Sequence, residues 1–123
     1  MKDLYIISTK TTPEIRFCAE SGVLEFSGSS YPEDPFEFYE PSVIWLSEYI
    51  RTGRPLVCRF RLDYYNTSSS KQILDIIDML EEYFQNGGKV EAEWYYKEGD
   101  DEIRDTGDDF FEGIEMPARL IAY

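Results

Sequence analysis

Leu56-Val57-Cys58-Arg59-Phe60-Arg61-Leu62-Asp63-Tyr64-Tyr65, followed by Asn66-Thr67-Ser68-Ser69-Ser70-Lys71 and then Gln72-Ile73-Leu74-Asp75-Ile76-Ile77-Asp78-Met79-Leu80-Glu81-Glu82-Tyr83-Phe84, is where the chain changes period. Up to Tyr65 it alternates. Cys58, Phe60, Leu62 and Tyr64 share one side, and Val57, Arg59, Arg61 and Asp63 the other, so the stretch predicts a strand with one well-packed face. From about Gln72 to Phe84 the apolar residues Ile73, Ile76, Ile77, Leu80 and Phe84 recur at steps of three or four, with Asp75, Asp78, Glu81 and Glu82 on the outer side. That is an amphipathic helix. Ser69 and Gln72 have capping-box spacing at its start, and Gly87-Gly88 stops it. Between strand and helix lie four consecutive hydroxyls, Thr67 to Ser70, where a helix presents unpaired N–H groups and the positive end of its dipole.

Working outward, Val90 to Tyr96 alternates as the next strand, Asp100 to Phe111 is acidic with weak helical character, and Pro117 to Tyr123 reads as a last short strand. Upstream, Asp34-Pro35 caps and opens a helix from Phe36 to Thr52. Tyr39, Val43, Leu46 and Ile50 form its apolar face, flanked by Phe36, Trp45 and Tyr49, and Pro41 is a point where it restarts. Leu4 to Ile7, Ile15 to Cys18 and Val23 to Gly28 are short strands, the last two an antiparallel hairpin about Gly22. The order β-β-β-α-β-α-β-α-β predicts an α/β sandwich: one domain over residues 1–123, a mixed sheet, and helices mainly on one side. Strands from Leu56 onward should be parallel, joined by right-handed crossovers.

Composition narrows the function. With 123 residues the chain makes one core, and 42% hydrophobic content is enough to fill it. Its 25 acids against 12 bases give a net charge of −13, which argues against nucleic acid and anionic membranes and favours basic patches on protein partners. No apolar run reaches membrane-span length, and Ser8, Thr9 and Lys10 interrupt any leader-like stretch after Met1, so a cytoplasmic protein is expected. Cys18 and Cys58 are expected to be reduced and to serve packing. There is no histidine, which removes the commonest general base, metal ligand and nucleophile partner.

Candidate chemistry is correspondingly thin. Asp101, Asp105 and Glu112 match an EF-hand frame, but Ile103 and Thr106 break it, leaving a solvated acidic helix and no metal site. Glu91 and Glu93 share one strand face, as a polar sheet surface. The hydroxyl turn has two readings. One is ordinary capping. The other is an acceptor site, since four hydroxyls exceed what one cap needs, and a phosphate there would meet helix N–H groups with Lys71 nearby.

These stretches resemble the SiaC family of bacterial regulatory phosphoproteins, whose fold is similar to anti-sigma-factor antagonists (STAS domains). The resemblance spans essentially the whole chain and is carried by Thr12-Pro13-Glu14, by Gly28-Ser29-Ser30-Tyr31-Pro32-Glu33-Asp34, and above all by Tyr64-Tyr65-Asn66-Thr67-Ser68-Ser69-Ser70-Lys71. It implies that Thr67 is the phosphoacceptor. It implies a partner-switching circuit: a serine/threonine kinase of the anti-sigma-factor type, a PP2C-type phosphatase, and a diguanylate cyclase that the unphosphorylated form binds and activates, raising cyclic di-GMP and favouring biofilm growth. No catalytic residue and no cofactor is implied. On this reading Tyr65, Asn66, Thr67, Ser68, Ser69, Ser70 and Lys71 form the partner-binding segment of a protein that is monomeric when free. A switch acting on another target, such as an anti-sigma factor, and a small carboxylate- or metal-dependent enzyme are the alternatives.

Overall fold

In the computed structural model, which describes residues 1–123, the strand Leu56–Tyr65 (β4) runs through the middle of a six-stranded sheet. The strands lie side by side in chain order: β1 (Leu4–Ile6), β2 (Glu14–Phe17), β3 (Val23–Ser30), β4, β5 (Val90–Tyr96) and β6 (Ala118–Ala122). β1, β2 and β3 pair antiparallel, and β3 to β6 pair parallel, so the sheet is mixed as the element order predicts. The parallel part begins one strand earlier than Leu56. The helix α1 (Pro35–Arg51) carries the chain from β3 back to the start of β4.

Alternation on the strands sets one apolar face. Ile15, Phe17, Leu24, Phe26, Cys58, Phe60, Leu62, Ala92 and Trp94 are all buried there. α1, α2 (Thr67–Gln85) and α3 (Asp101–Phe110) cover that face. From α2 come Ile73, Ile76, Ile77 and Leu80, each at most 1% exposed. Burial of one such side chain stabilises the fold by about 1.5–3 kcal/mol. Phe84, included in that stripe from its spacing, is only half-buried, and Tyr83 takes a buried place beside it.

Two features of the α1 reading change. The helix runs unbroken through Pro41, whose ring points outward while Tyr39 and Ser42 are buried. Phe36, grouped with the apolar face by its spacing, is 67% exposed. Asp34 caps the helix as expected, accepting from Glu37 N at 3.0 Å. At the other end, the hairpin residue Gly22 has φ +73°, and a Cβ there would sit 2.3 Å from the Pro55 carbonyl oxygen, so the close approach of hairpin and α1–β4 loop requires glycine.

The opposite face of the sheet carries no helix. It holds a lattice of paired charges. Glu93, only 5% exposed, accepts from Arg59 Nε at 3.0 Å, from Tyr95 at 2.9 Å and from Arg119. Burial pushes the Glu93 carboxyl up, and the three hydrogen bonds together outweigh it, holding it below the usual carboxylate range. Glu91, two residues before it on the strand, is exposed and in no ion pair, so the two carboxylates read together from sequence do different things. Glu81 ties the far edge: its carboxylate accepts from the backbone N–H groups of Glu115 and Met116, anchoring the run into β6 on α2.

Candidate functional site

The site is built from the end of β4 and the first turn of α2. Asn66 leaves the sheet with its N–H donating to the Ser30 carbonyl at 3.1 Å. It holds extended geometry (φ −93°, ψ 173°), and its side-chain oxygen accepts from Ser69 N at 3.0 Å. Asn66 is therefore the N-cap, and the helix starts at Thr67, five residues before the position expected from the apolar stripe. The Ser69–Gln72 capping box does not form. The reason is chemical: a short polar side chain after a strand captures the first free N–H groups, so polar residues join the helix before its apolar stripe begins.

The four hydroxyls then part company. Ser69 turns inward and is fully buried. Ser30 Oγ donates to Ser69 Oγ at 2.9 Å, and Tyr39 Oη lies 2.6 Å from Ser30 Oγ. This triad is the buried polar link between β3, α1 and α2. Burial raises the Tyr39 phenol to about 12, against the lowering effect of its bond to Ser30. Ser69, expected in the partner-binding segment, has no surface to offer. Ser70 Oγ donates to the Thr67 carbonyl at 2.7 Å, and Ser68 Oγ to Asn66 Oδ1 at 3.2 Å. Thr67 and Ser68 are exposed, and the Thr67 hydroxyl makes no hydrogen bond within the chain.

Thr67 lines a cleft of about 320 Å³ between the α2 N-terminus and α3. The near wall includes Asp63, Tyr65, Asn66 and Ser70, and the far wall Asp100, Glu102 and Thr106. Tyr65 is half-buried, its ring edge-on to Trp94 at 6.2 Å. Burial, then the charges of Glu102 and Asp109, push its phenol up to about 12. Lys71 is exposed one turn further on, but neither it nor any other base lines the cleft. The charges lining the cleft are thus acidic, and Lys71, the base expected near Thr67, stands outside its wall.

The acidic wall was not legible in the sequence, because α3 lies more than thirty residues beyond Thr67. It is brought there by Trp94. Gly107 packs so closely on the indole that a Cβ would fall 2.3 Å from Trp94 Cδ1, and the Trp94 N–H donates to the Ile103 carbonyl at 2.9 Å. Ile103 and Thr106, which break the EF-hand frame, both lie within this helix.

A model of SiaC family regulatory phosphoproteins matches residues 6–123. The chain belongs to that family. Its SiaC-type fold matches the structure described as SiaC of Pseudomonas aeruginosa with a TM-score of 0.93 and 35% identity, covering the whole of both chains. It also matches the SiaC chain of a complex described as the diguanylate cyclase SiaD with its activator SiaC, from the same organism, with a TM-score of 0.95 and 34% identity over 98% of this chain and all of that one. An uncharacterized protein of P. aeruginosa strain UCBPP-PA14 is 36% identical over 124 residues, 100% of this chain and 98% of that protein. Membership makes this SiaC-family chain a regulatory phosphoprotein and not an enzyme. No helix is long and apolar enough to cross a membrane.

Proposed function

We propose that the protein is a cytoplasmic, monomeric partner switch: Thr67 is reversibly phosphorylated, and the unmodified form binds and activates a diguanylate cyclase. The observation that carries this reading is the Thr67 hydroxyl, exposed and unbonded on the first turn of α2 beside three carboxylates. A kinase of the anti-sigma-factor type would add the phosphate and a PP2C-type phosphatase would remove it, with cyclic di-GMP output and biofilm growth following the unmodified form. The likeness to the activator chain of the SiaD complex supports the choice of partner.

Electrostatics supplies the switch. A phosphothreonine brings about −1.5 to −2 charges. Two unit charges about 6 Å apart repel by about 0.7 kcal/mol in water, and by about 3 kcal/mol at an effective dielectric near 20. Asp63, Asp100 and Glu102 line the same cleft, so a phosphate on Thr67 raises the energy of any docked state that closes over it. About 1.4 kcal/mol already changes affinity tenfold. Tyr65, Asn66, Ser68, Ser70 and Lys71 frame the surface that the partner reads, while Ser69 supports it from within.

Phosphosite mapping by mass spectrometry on protein purified from its native host, with and without the phosphatase, tests the assignment. Phosphate should accumulate on Thr67 when the phosphatase is absent. Protein never modified between Asn66 and Lys71 returns the turn to helix capping alone.

A further inference from the structure

α1 and α2 run side by side with a groove between them, on the side of α2 away from the Thr67 cleft. Phe36, Glu40, Val43, Ser47 and Ile50 recur at steps of four and three along α1. Gln72, Asp75, Met79, Glu82 and Asn86 do the same along α2. Two adjoining clefts, of about 320 and 420 Å³, share Met79 in their walls and make the groove continuous. The apolar part of its wall is open to water: Phe36 is 67% exposed and Ile44 51%, with Val43, Ile50 and Met79 half-buried. Val43, Ile50 and Met79 pack against the core beneath, whereas Phe36 and Ile44 take no part in it. Large apolar side chains gathered at a lip, with a channel between them, mark an interaction surface.

We infer that this groove docks a basic amphipathic helix presented by a partner protein. The charge around it selects that occupant. Glu40, Asp75 and Glu82 line the groove, all exposed and none in an ion pair within the chain. Arg51, at one end of the groove wall, is the one base among these acids, and Lys71 is the only other exposed base on the two helices. A second copy of the chain, at −13, would set these acids against its own. Its Arg16, Arg59, Arg61 and Arg119 offer no relief, since each already faces a carboxylate. A helix with one apolar stripe and Lys/Arg on its flanks meets both requirements. From Phe36 to Ile50 the groove runs about 21 Å, so the occupant spans about four turns.

The test uses a labelled 18-residue Leu/Lys peptide, with leucines on one helical stripe, titrated into the intact protein and followed by fluorescence anisotropy. Saturable binding is expected. Ile44→Glu and Phe36→Glu, both at exposed positions that leave the core untouched, should each weaken it about tenfold or more. The double variant Glu40→Lys with Asp75→Lys should weaken it severalfold, and Thr67→Ala should leave it unchanged. A scrambled peptide of the same composition should bind at least tenfold less tightly. Absence of binding, or equal binding by the scrambled peptide or by Ile44→Glu, overturns the inference. So does wild-type self-association in sedimentation that Ile44→Glu abolishes, which would give the groove to a second copy.

Discussion

Two places along β4 handle charge in opposite ways. Midway, Arg59 meets Glu93, and Glu93 also takes Arg119 and Tyr95, so one nearly buried acid is closed off by three donors. A few residues later the end of the strand and the start of α2 deliver Asp63 and Thr67 to a cleft that gathers Asp100 and Glu102 and is lined by no base. The first cluster has spent its hydrogen-bonding capacity on holding the sheet face. The second has carboxylates and a free hydroxyl whose balance one added phosphate would change. A closed set of charges resists change and an open set responds to it, which is why the open set is the better place for a switch.

The largest expected break in this comparison comes from Gly107→Ala. Its new methyl collides with the Trp94 ring, so α3 must lift from the sheet and take the acidic wall with it. Overpacking of this kind costs about 1–3 kcal/mol, and the roughly 1 kcal/mol gain in helix propensity offsets it only in part. Urea denaturation should show a lowered midpoint; an unchanged midpoint would mean that α3 is not seated on Trp94.

Glu93→Gln sharpens the closed side. It should cost about 1–2 kcal/mol. The arginine side chains are 39% and 66% exposed, so water takes up their charge and the loss stays below that of a fully buried pair. The depressed carboxyl fixes the pH dependence. Its contribution is present above the unfolded value, about 4.3, and is lost as pH falls through the lower folded value. The stability gap between wild type and Glu93→Gln should therefore close in acid. A gap that stays constant as the pH is lowered from neutrality into acid would show that shape, not charge, holds this cluster.

At the open end, Asn66→Ala removes the cap and should cost about 1 kcal/mol, while Asn66→Asp keeps the cap and restores most of it. Thermal unfolding of the pair separates capping from any other role of Asn66. The smallest effect belongs to Thr67→Ala, which should stay within about 0.5 kcal/mol of wild type because the side chain is exposed and makes no hydrogen bond. A larger loss would place Thr67 among the structural residues.

Much of this was legible in the sequence because it rests on period. β4, β5, α3 and the antiparallel start follow from alternation, helical spacing and turn residues, and the capped start of α1 from Asp34-Pro35. Periodicity failed where polar atoms decide. The start of α2 depends on which side chain takes the first N–H groups, and Asn66 takes them ahead of Ser69. The hydroxyl run looks uniform, yet Ser69 is buried against Ser30 while Thr67 is free, because only helix phase separates them. Phe36 has the spacing of a core residue and lies outside the core. The acids opposite Thr67 arrive through long-range packing of Gly107 on Trp94, which no local pattern encodes.

The central claim is that one phosphate on Thr67 decides partner binding. It is tested most directly by calorimetric titration of the host's SiaD-like diguanylate cyclase with unmodified protein and with protein stoichiometrically phosphorylated on Thr67. The account predicts that the phosphorylated form binds at least about tenfold more weakly. Equal or tighter binding by the phosphorylated form would contradict it.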